Sequence, residues 1–344
     1  MRIKKFMNFR HVLFACGLLF TINLSGQDSH LSQYYASPML INPSLTGMNI
    51  EAYRGHLHYR NQWRSIISNP YLTQYVAFDM PYEEKFGFGA YILNNRAGSG
   101  HYNSFNFFLS AAYEVTIDPA DVHHLLTGVQ LGVINKSVNV NELYFENQYT
   151  TQDGGGFDPA ISSEEVFEND NVFIPDASFG LFYYNRHKLK IFDQFLVKTS
   201  HIIPYYVGLS GFHLWSPKET FLNVENRLPL KIIGYGGIMY RISNEIGLEP
   251  NFLYMYQARN HELQGGLLGY YHVKEQNLFV MFGPYYRHLD ALSIHLGCIY
   301  KEYQFRLSYD INMFSLHSVS GGRGGIEISF TYMYSNKPSS SMMH

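Results

Sequence analysis

The chain has 344 residues with a formal charge of −3, and no basic tract offers a surface for nucleic acid. Aromatic residues make up 17% and charged residues 15%, the reverse of a soluble surface, where charge runs near a quarter. After the first 26 residues no apolar run reaches about 18 residues, which excludes spanning helices.

Arg2, Lys4, Lys5 and Arg10 form a basic start, Val12 to Phe20 an apolar core, and Ser25-Gly26 a small-residue exit. That order predicts a cleaved signal peptide over residues 1–26 and a mature chain beginning near Gln27. Cys16 after Leu13-Phe14-Ala15 hints at lipid attachment, but cutting there would leave almost no apolar core behind Arg10. Residues 27–50 follow as an N-terminal arm too rich in Pro, Asn and Ser for a strand. The arm is expected to plug a barrel lumen or to lie beneath it in the periplasm.

Residues 51–334 read as an all-β, transmembrane antiparallel β-barrel of about 14 strands. Strands are expected to begin near Ala52, Tyr71, Phe86, Asn103, His124, Asp176, Tyr205, Leu230, Ile246, Glu262, Leu278, Leu289, Tyr303 and Gly324. The candidates beginning near Asn103, Tyr303 and Gly324 alternate at period two, apolar toward lipid and polar or small toward the lumen. In one of them Phe305, Leu307, Tyr309 and Ile311 oppose Gln304, Arg306, Ser308 and Asp310. An even count puts both chain ends in the periplasm, with short polar turns at Pro81 to Lys85, Asp118 to Asp121, Ser243 to Glu245 and Lys274 to Asn277. The connection from Asn139 to Pro175 then falls outside the cell. Asn185 to Pro204 is long for a periplasmic turn, so either a strand is miscounted or that loop has a task. Arg323, Gly325, Ile328 and Phe330 resemble a barrel-assembly signal, followed by a polar tail over 335–344.

Nothing in the chain assembles into recognisable chemistry. Arg54, His56, His58, Arg60, Gln62 and Arg64 share one face of the first strand, opposite Tyr53, Leu57, Tyr59 and Trp63. The flanking arginines oppose a cation at the two histidines, so the face reads as a cationic lumen stripe for carboxylates of the arm or a partner. His123 and His124 point to opposite faces and cannot chelate together. Glu164 to Asp170 lacks the spacing of a calcium loop, and the glycine clusters at 154–156 and 321–325 lack the context of a phosphate cradle. Cys298 takes its turn on an apolar strand face as a small hydrophobe. No catalytic residue, metal site or cofactor is therefore expected.

Ser32-Gln33-Tyr34, Pro38, Asn42-Pro43 and Gly47, followed by Tyr59-Arg60-Asn61-Gln62-Trp63, resemble the opening of the PorP/SprF family of the type IX secretion and gliding machinery of Bacteroidetes. Phe86-Gly87-Phe88-Gly89 with Asn94-Asn95 and Gly98, Leu126-Thr127-Gly128, Ile174-Pro175-Asp176, Ser308-Tyr309-Asp310 and Gly325-Ile326-Glu327-Ile328 extend the likeness over nearly the whole mature chain, with Asn95 where the family usually has an acid. The resemblance implies a non-enzymatic protein of the cell outer membrane, surrounded by its lipid. It also implies partners: type IX components and a secreted adhesin or its C-terminal signal domain. On motif position it marks Gln33, Tyr34, Asn42, Pro43, Arg60, Gln62 and Trp63 as partner-binding or plug residues, Trp63 serving equally well as a lipid-facing girdle residue. The alternative is a porin or transporter for small, anionic solutes, favoured by Arg54, Arg60 and Arg64.

Overall fold

The computed structural model describes residues 28–48, 52–64, 67, 69–83, 85–98, 100–143, 145–150, 156–158, 160–163, 169–185, 204–221, 225–313 and 317–334. The signal peptide, the polar tail, residues 164–168 of the acidic segment and 186–203 of the long connection lie outside these. Fourteen antiparallel strands form the wall: β1 Tyr53–Gln62, β2 Tyr71–Tyr82, β3 Phe86–Ala97, β4 Tyr102–Thr116, β5 His123–Ser137, β6 Asn171–Asn185 and β7 Tyr205–Phe212. The ring continues with β8 Lys231–Ile238, β9 Ile246–Gln257, β10 Asn260–Val273, β11 Leu278–Arg287, β12 Ala291–Tyr300, β13 Tyr303–Asn312 and β14 Arg323–Tyr334. Each pairs with its sequence neighbour, and β14 closes on β1 in continuous register from Tyr53 opposite Tyr334 to Asn61 opposite Ile326. Closure leaves no sheet edge and satisfies the backbone without water, as a lipid environment requires.

The alternation runs inside out relative to a soluble protein. On β2, Val76 and Phe78 are 49% and 48% exposed while Tyr75 and Asp79, facing inward, are each 1% exposed. The outward set is the lipid-facing surface; the inward set lines the lumen. The lumen face is more aromatic than a polar-or-small expectation allows. Tyr75, Tyr91, Phe108, Phe182, Tyr235 and Tyr285 all point inside and are buried.

Strand starts fall within two residues of expectation except at β6, which begins at Asn171 rather than Asp176. Pro175 makes that stretch look like a loop. It is tolerated because β6 pairs with β5 over its whole length but with β7 only from Ser178 onward. Pro175 thus sits where the strand has one partner, and its missing N–H leaves no ladder broken.

Both barrel termini lie on one rim, with the connections 83–85, 117–122, 242–245, 274–277 and 301–302. The longer connections, between β1 and β2, β5 and β6, β7 and β8, and β13 and β14, leave from the other rim. Bacterial barrels keep short turns and both ends in the periplasm and long loops outside, which orients this one. The count of fourteen places Asn185 and Pro204 on the periplasmic rim, so that connection does not reflect a missing strand. Among the outer connections, the one between β7 and β8 sends Leu228 inward, where it is buried in one cluster with the lumen residues Met39, Tyr75, Phe108 and Ile174.

Candidate functional site: the lumen arm and its vestibule

Residues 28–48 lie inside the barrel. Three single turns give the arm its shape, Tyr34–Ala36, Pro38–Ile41 and Pro43–Leu45, each of the last two opening on a proline. Proline at the first helical position loses no hydrogen bond and presets φ, so each turn restarts where the previous one ends. The Asn42 side chain accepts from Ser44 N at 2.9 Å and so caps the third turn.

Ser32 and Gln33 anchor the arm across the closing seam. The backbone N–H groups of both donate to the Glu327 carboxylate of β14, at 2.7 and 2.9 Å. Ser32 Oγ donates to Asp310 of β13 at 2.7 Å, and Arg287 Nη1 donates to the same hydroxyl. Gln33 Nε2 reaches Ser308 of β13, and Ser329 of β14 donates to Gln33 Oε1. Glu327 also pairs with Arg60 of β1 at 2.8 Å and faces His58 Nε2 at 3.2 Å; Asp310 takes Arg60 and Arg287 at 3.3 and 3.1 Å. Both carboxylates and both guanidinium groups are buried, so each charge is tolerable only because its partners are present.

Further along, Tyr34 enters an aromatic cluster with Tyr285 and donates its hydroxyl to Asn251. Ser37 Oγ lies 3.1 Å from His56 Nε2 and 2.9 Å from His58 Nδ1, so the two histidines grip the arm. Among the described residues no three potential ligands gather.

On the opposite wall, Asn42 Nδ2 donates to Leu181 O at 2.8 Å. Here Gly128 of β5 and Gly180 of β6 lack a side chain for a physical reason. A Cβ would come within 2.3 Å of Ser44 N at Gly128 and 1.9 Å of Asn42 Oδ1 at Gly180. Pro43 seats in that notch. Thr46 and Gly47 finish the path on β4 and β2, through Ser110 and the Asp79 carboxylate.

Above the arm, on the outer side, lies a vestibule of about 1050 Å³. Trp63, Tyr71, Tyr102 and Leu93 give one wall an aromatic and apolar lining; Lys136, Glu219, His213 and Lys231 make the other ionic. The lining descends to Tyr91 and Phe108, halfway down, and includes Leu31 and Leu40 of the arm. Asp28 stands at its edge, 2.8 Å from His213 Nε2, while Nδ1 of that ring lies 2.7 Å from Asp176. Burial opposes the imidazolium, but the Asp28 charge and the hydrogen bonds to Asp176 and Asp28 outweigh it and push the pKa up to about 9.

The sequence-marked residues thus separate into two places. Gln33, Tyr34, Asn42, Pro43 and Arg60 lie in the contacts between arm and wall, and Gln62 and Trp63 line the vestibule. Strand parity would send Trp63 to lipid; a left-handed backbone at φ 62° turns it, and its ring meets Tyr71 edge-on at 4.6 Å. Arg64 follows β1 as an exposed turn residue and leaves the stripe, so of the three arginines only Arg54 and Arg60 belong to it. Asp310 and Glu327 stand in the strand pattern and in the family-like segments Ser308-Tyr309-Asp310 and Gly325-Ile326-Glu327-Ile328, but neither was marked as a site residue. Their signal was acidic side chains on inward positions otherwise filled by Ser, Thr and Gln.

A closed antiparallel barrel, apolar outside and filled by its own N-terminal arm, is an outer-membrane β-barrel protein with an occluded lumen. The fold is shared with the Ralstonia pickettii toluene transporter TbuX, at 10% identity over 87% of this chain and 94% of that one with a TM-score of 0.51. The P. putida toluene transporter TodX matches at 10% identity over 87% and 94%, with a TM-score of 0.48. The chain belongs to the family described as type IX secretion system membrane protein PorP/SprF, which matches residues 23–332. No curated protein sequence matches it.

Proposed function

We propose that this protein is a non-enzymatic docking or anchoring component of the type IX secretion and gliding machinery. It receives a secreted adhesin-type cargo, through that cargo's C-terminal signal domain, or contacts the machine's own parts. One observation carries the reading: the vestibule opens outward and ends blind on an arm held by buried charges. A conduit needs a continuous path, whereas a blind pocket of this size, half aromatic and half ionic, suits a protein segment held in place. Family membership supplies the machine. Gln62 and Trp63 are then partner-contact residues, while Gln33, Tyr34, Asn42, Pro43 and Arg60 hold the floor they stand over.

The test is mass spectrometry of what co-purifies with the tagged native protein in mild detergent. Recovery of a large adhesin or type IX ring components is the expected result. A clean monomer without partners, together with large ungated conductance in planar bilayers, would replace docking with solute transport.

A further inference from the structure

Strand register lays out one wall of the vestibule in rows. Thr73 of β2 stands opposite Asn95 of β3, Asn95 opposite Ser104 of β4, and Ser104 opposite Lys136 of β5. Neighbouring strands are about 5 Å apart, so these four side chains form a polar row about 15 Å long. All four line the vestibule. The next row down holds Leu93, Asn106 and Ile134, and the one below it Tyr91 and Phe108. The polar row ends on a cation. Lys136 Nζ donates to Glu219 Oε1 at 2.7 Å. Glu219 does not belong to the wall: it comes from the connection between β7 and β8, where its N–H donates to Asn226 O. Two residues further, Phe221 O accepts from Asn169 N.

Two features distinguish this pair from the sealed one at the arm. The Lys136 and Glu219 side chains keep 9% and 13% exposure, against 1% each for Arg60 and Glu327. One carboxylate can therefore replace another on Lys136 without stranding a charge in a dry site. In the same row Asn95 Oδ1 is buried and has no hydrogen-bond partner among the described residues, which leaves an unspent acceptor for a peptide N–H. We propose that the row is the seat of an acidic segment of a protein partner, with its carboxylate on Lys136 and its backbone against Asn95. Glu219 is the protein's own stand-in for that carboxylate and is displaced when the segment enters. An aromatic residue beside the acid meets Tyr102, one row above Ser104 on β4, so Glu219-Thr220-Phe221 carries the chemistry of the segment it stands in for. The inference rests on the docking reading for the partner and on the row for the contact.

The test is carbodiimide cross-linking of the purified full chain in detergent, which joins a carboxylate to an amine in contact with it, read by mass spectrometry. The probe is acetyl-Glu-Thr-Phe-amide, a copy of residues 219–221. The unsubstituted chain is expected to give mainly the internal link from Lys136 to Glu219. Glu219→Gln is expected to raise probe capture at Lys136 about tenfold, the factor that one charge-assisted hydrogen bond commands. Asn95→Leu added to it should lower capture again, and acetyl-Gln-Thr-Phe-amide should not be captured. Capture at Lys136 in Glu219→Gln no greater than at Lys301, exposed in the turn between β12 and β13, overturns the proposal. So does a folded Lys136→Gln chain that recovers its partner from cells as fully as the unsubstituted one. Docking is judged separately, by whether the unsubstituted chain recovers a partner at all, so failure of either reading is seen without the other.

Discussion

Glu327 gathers more of the arm's polar contacts than any other wall residue described here, and its chemistry shows why a charge is kept inside a barrel. Its two oxygens take the Ser32 and Gln33 N–H groups, the Arg60 guanidinium and a His58 ring nitrogen. Breaking one partner of a buried ion pair costs about 3–5 kcal/mol, because the remaining charge keeps its desolvation cost. Glu327→Gln is expected to fall in that range in urea unfolding from lipid vesicles. Ser329→Ala, which removes one neutral hydrogen bond to Gln33, should cost about 1 kcal/mol. Equal losses would mean that the charge is not what holds the seam. On the facing wall the constraint is space. Gly128→Ala puts a methyl group 2.3 Å from Ser44 N, and backbone on both sides prevents easy relief. Overpacking of this kind costs about 1–3 kcal/mol. Gly234, where a Cβ meets nothing within 4 Å, serves as the control, and Gly234→Ala should change little in the same assay.

At the scale of the element, the arm is a strut fixed at several points, and the attachment of its outer end titrates. His213 has a pKa of about 9, above its ordinary 6.5, because its charged form is stabilised between Asp28 and Asp176. The sign follows from linkage: the contribution is complete below pH 6.5 and is lost as pH rises through 9. A nitroxide on Ser29→Cys should therefore give an immobilised spectrum at pH 7 and a mobile one at pH 10, with His213→Gln mobile at both. Unchanged mobility between the two pH values would remove His213 from the clasp. The strands were legible in the sequence because period two and polar turns are local signals. The β6 start was not, since Pro175 argues locally for a loop and only the one-sided pairing there excuses it. The arm could be recognised by its Pro, Asn and Ser content, and Gln33, Tyr34, Asn42, Pro43 and Arg60 by motif. Their partners could not, because Ser32 and Glu327 are 295 residues apart in the chain and meet only when the last strand closes on the first. Trp63 was misplaced by parity because one left-handed residue ends the alternation.

For the whole molecule the balance lies between a wall that closes by itself and an interior that does not fill by itself. Every strand of the ring has two neighbours and β1 meets β14 in full register, so the backbone is satisfied without the arm. The lumen is different. Met39, Tyr34, Ile41 and Leu45 of the arm complete its two apolar clusters, and the arm's N–H and hydroxyl groups occupy Glu327 and Asp310. Deleting residues 28–48 removes those partners together, leaving carboxylates and guanidinium groups to be solvated by water entering from both rims. A barrel wall with a hydrated, charged interior is a pore. The deletion variant is therefore expected to insert and remain folded, seen as a heat-dependent shift in gel mobility, yet to show steady conductance in planar bilayers where the full chain shows almost none. It should also lose whatever partner co-purifies with the full chain, because the vestibule then has no floor. Partner recovery unchanged by the deletion would place the docking surface on the outer connections instead, and a deletion variant as non-conducting as the full chain would mean that the lumen is sealed by the side chains clustered around Leu228.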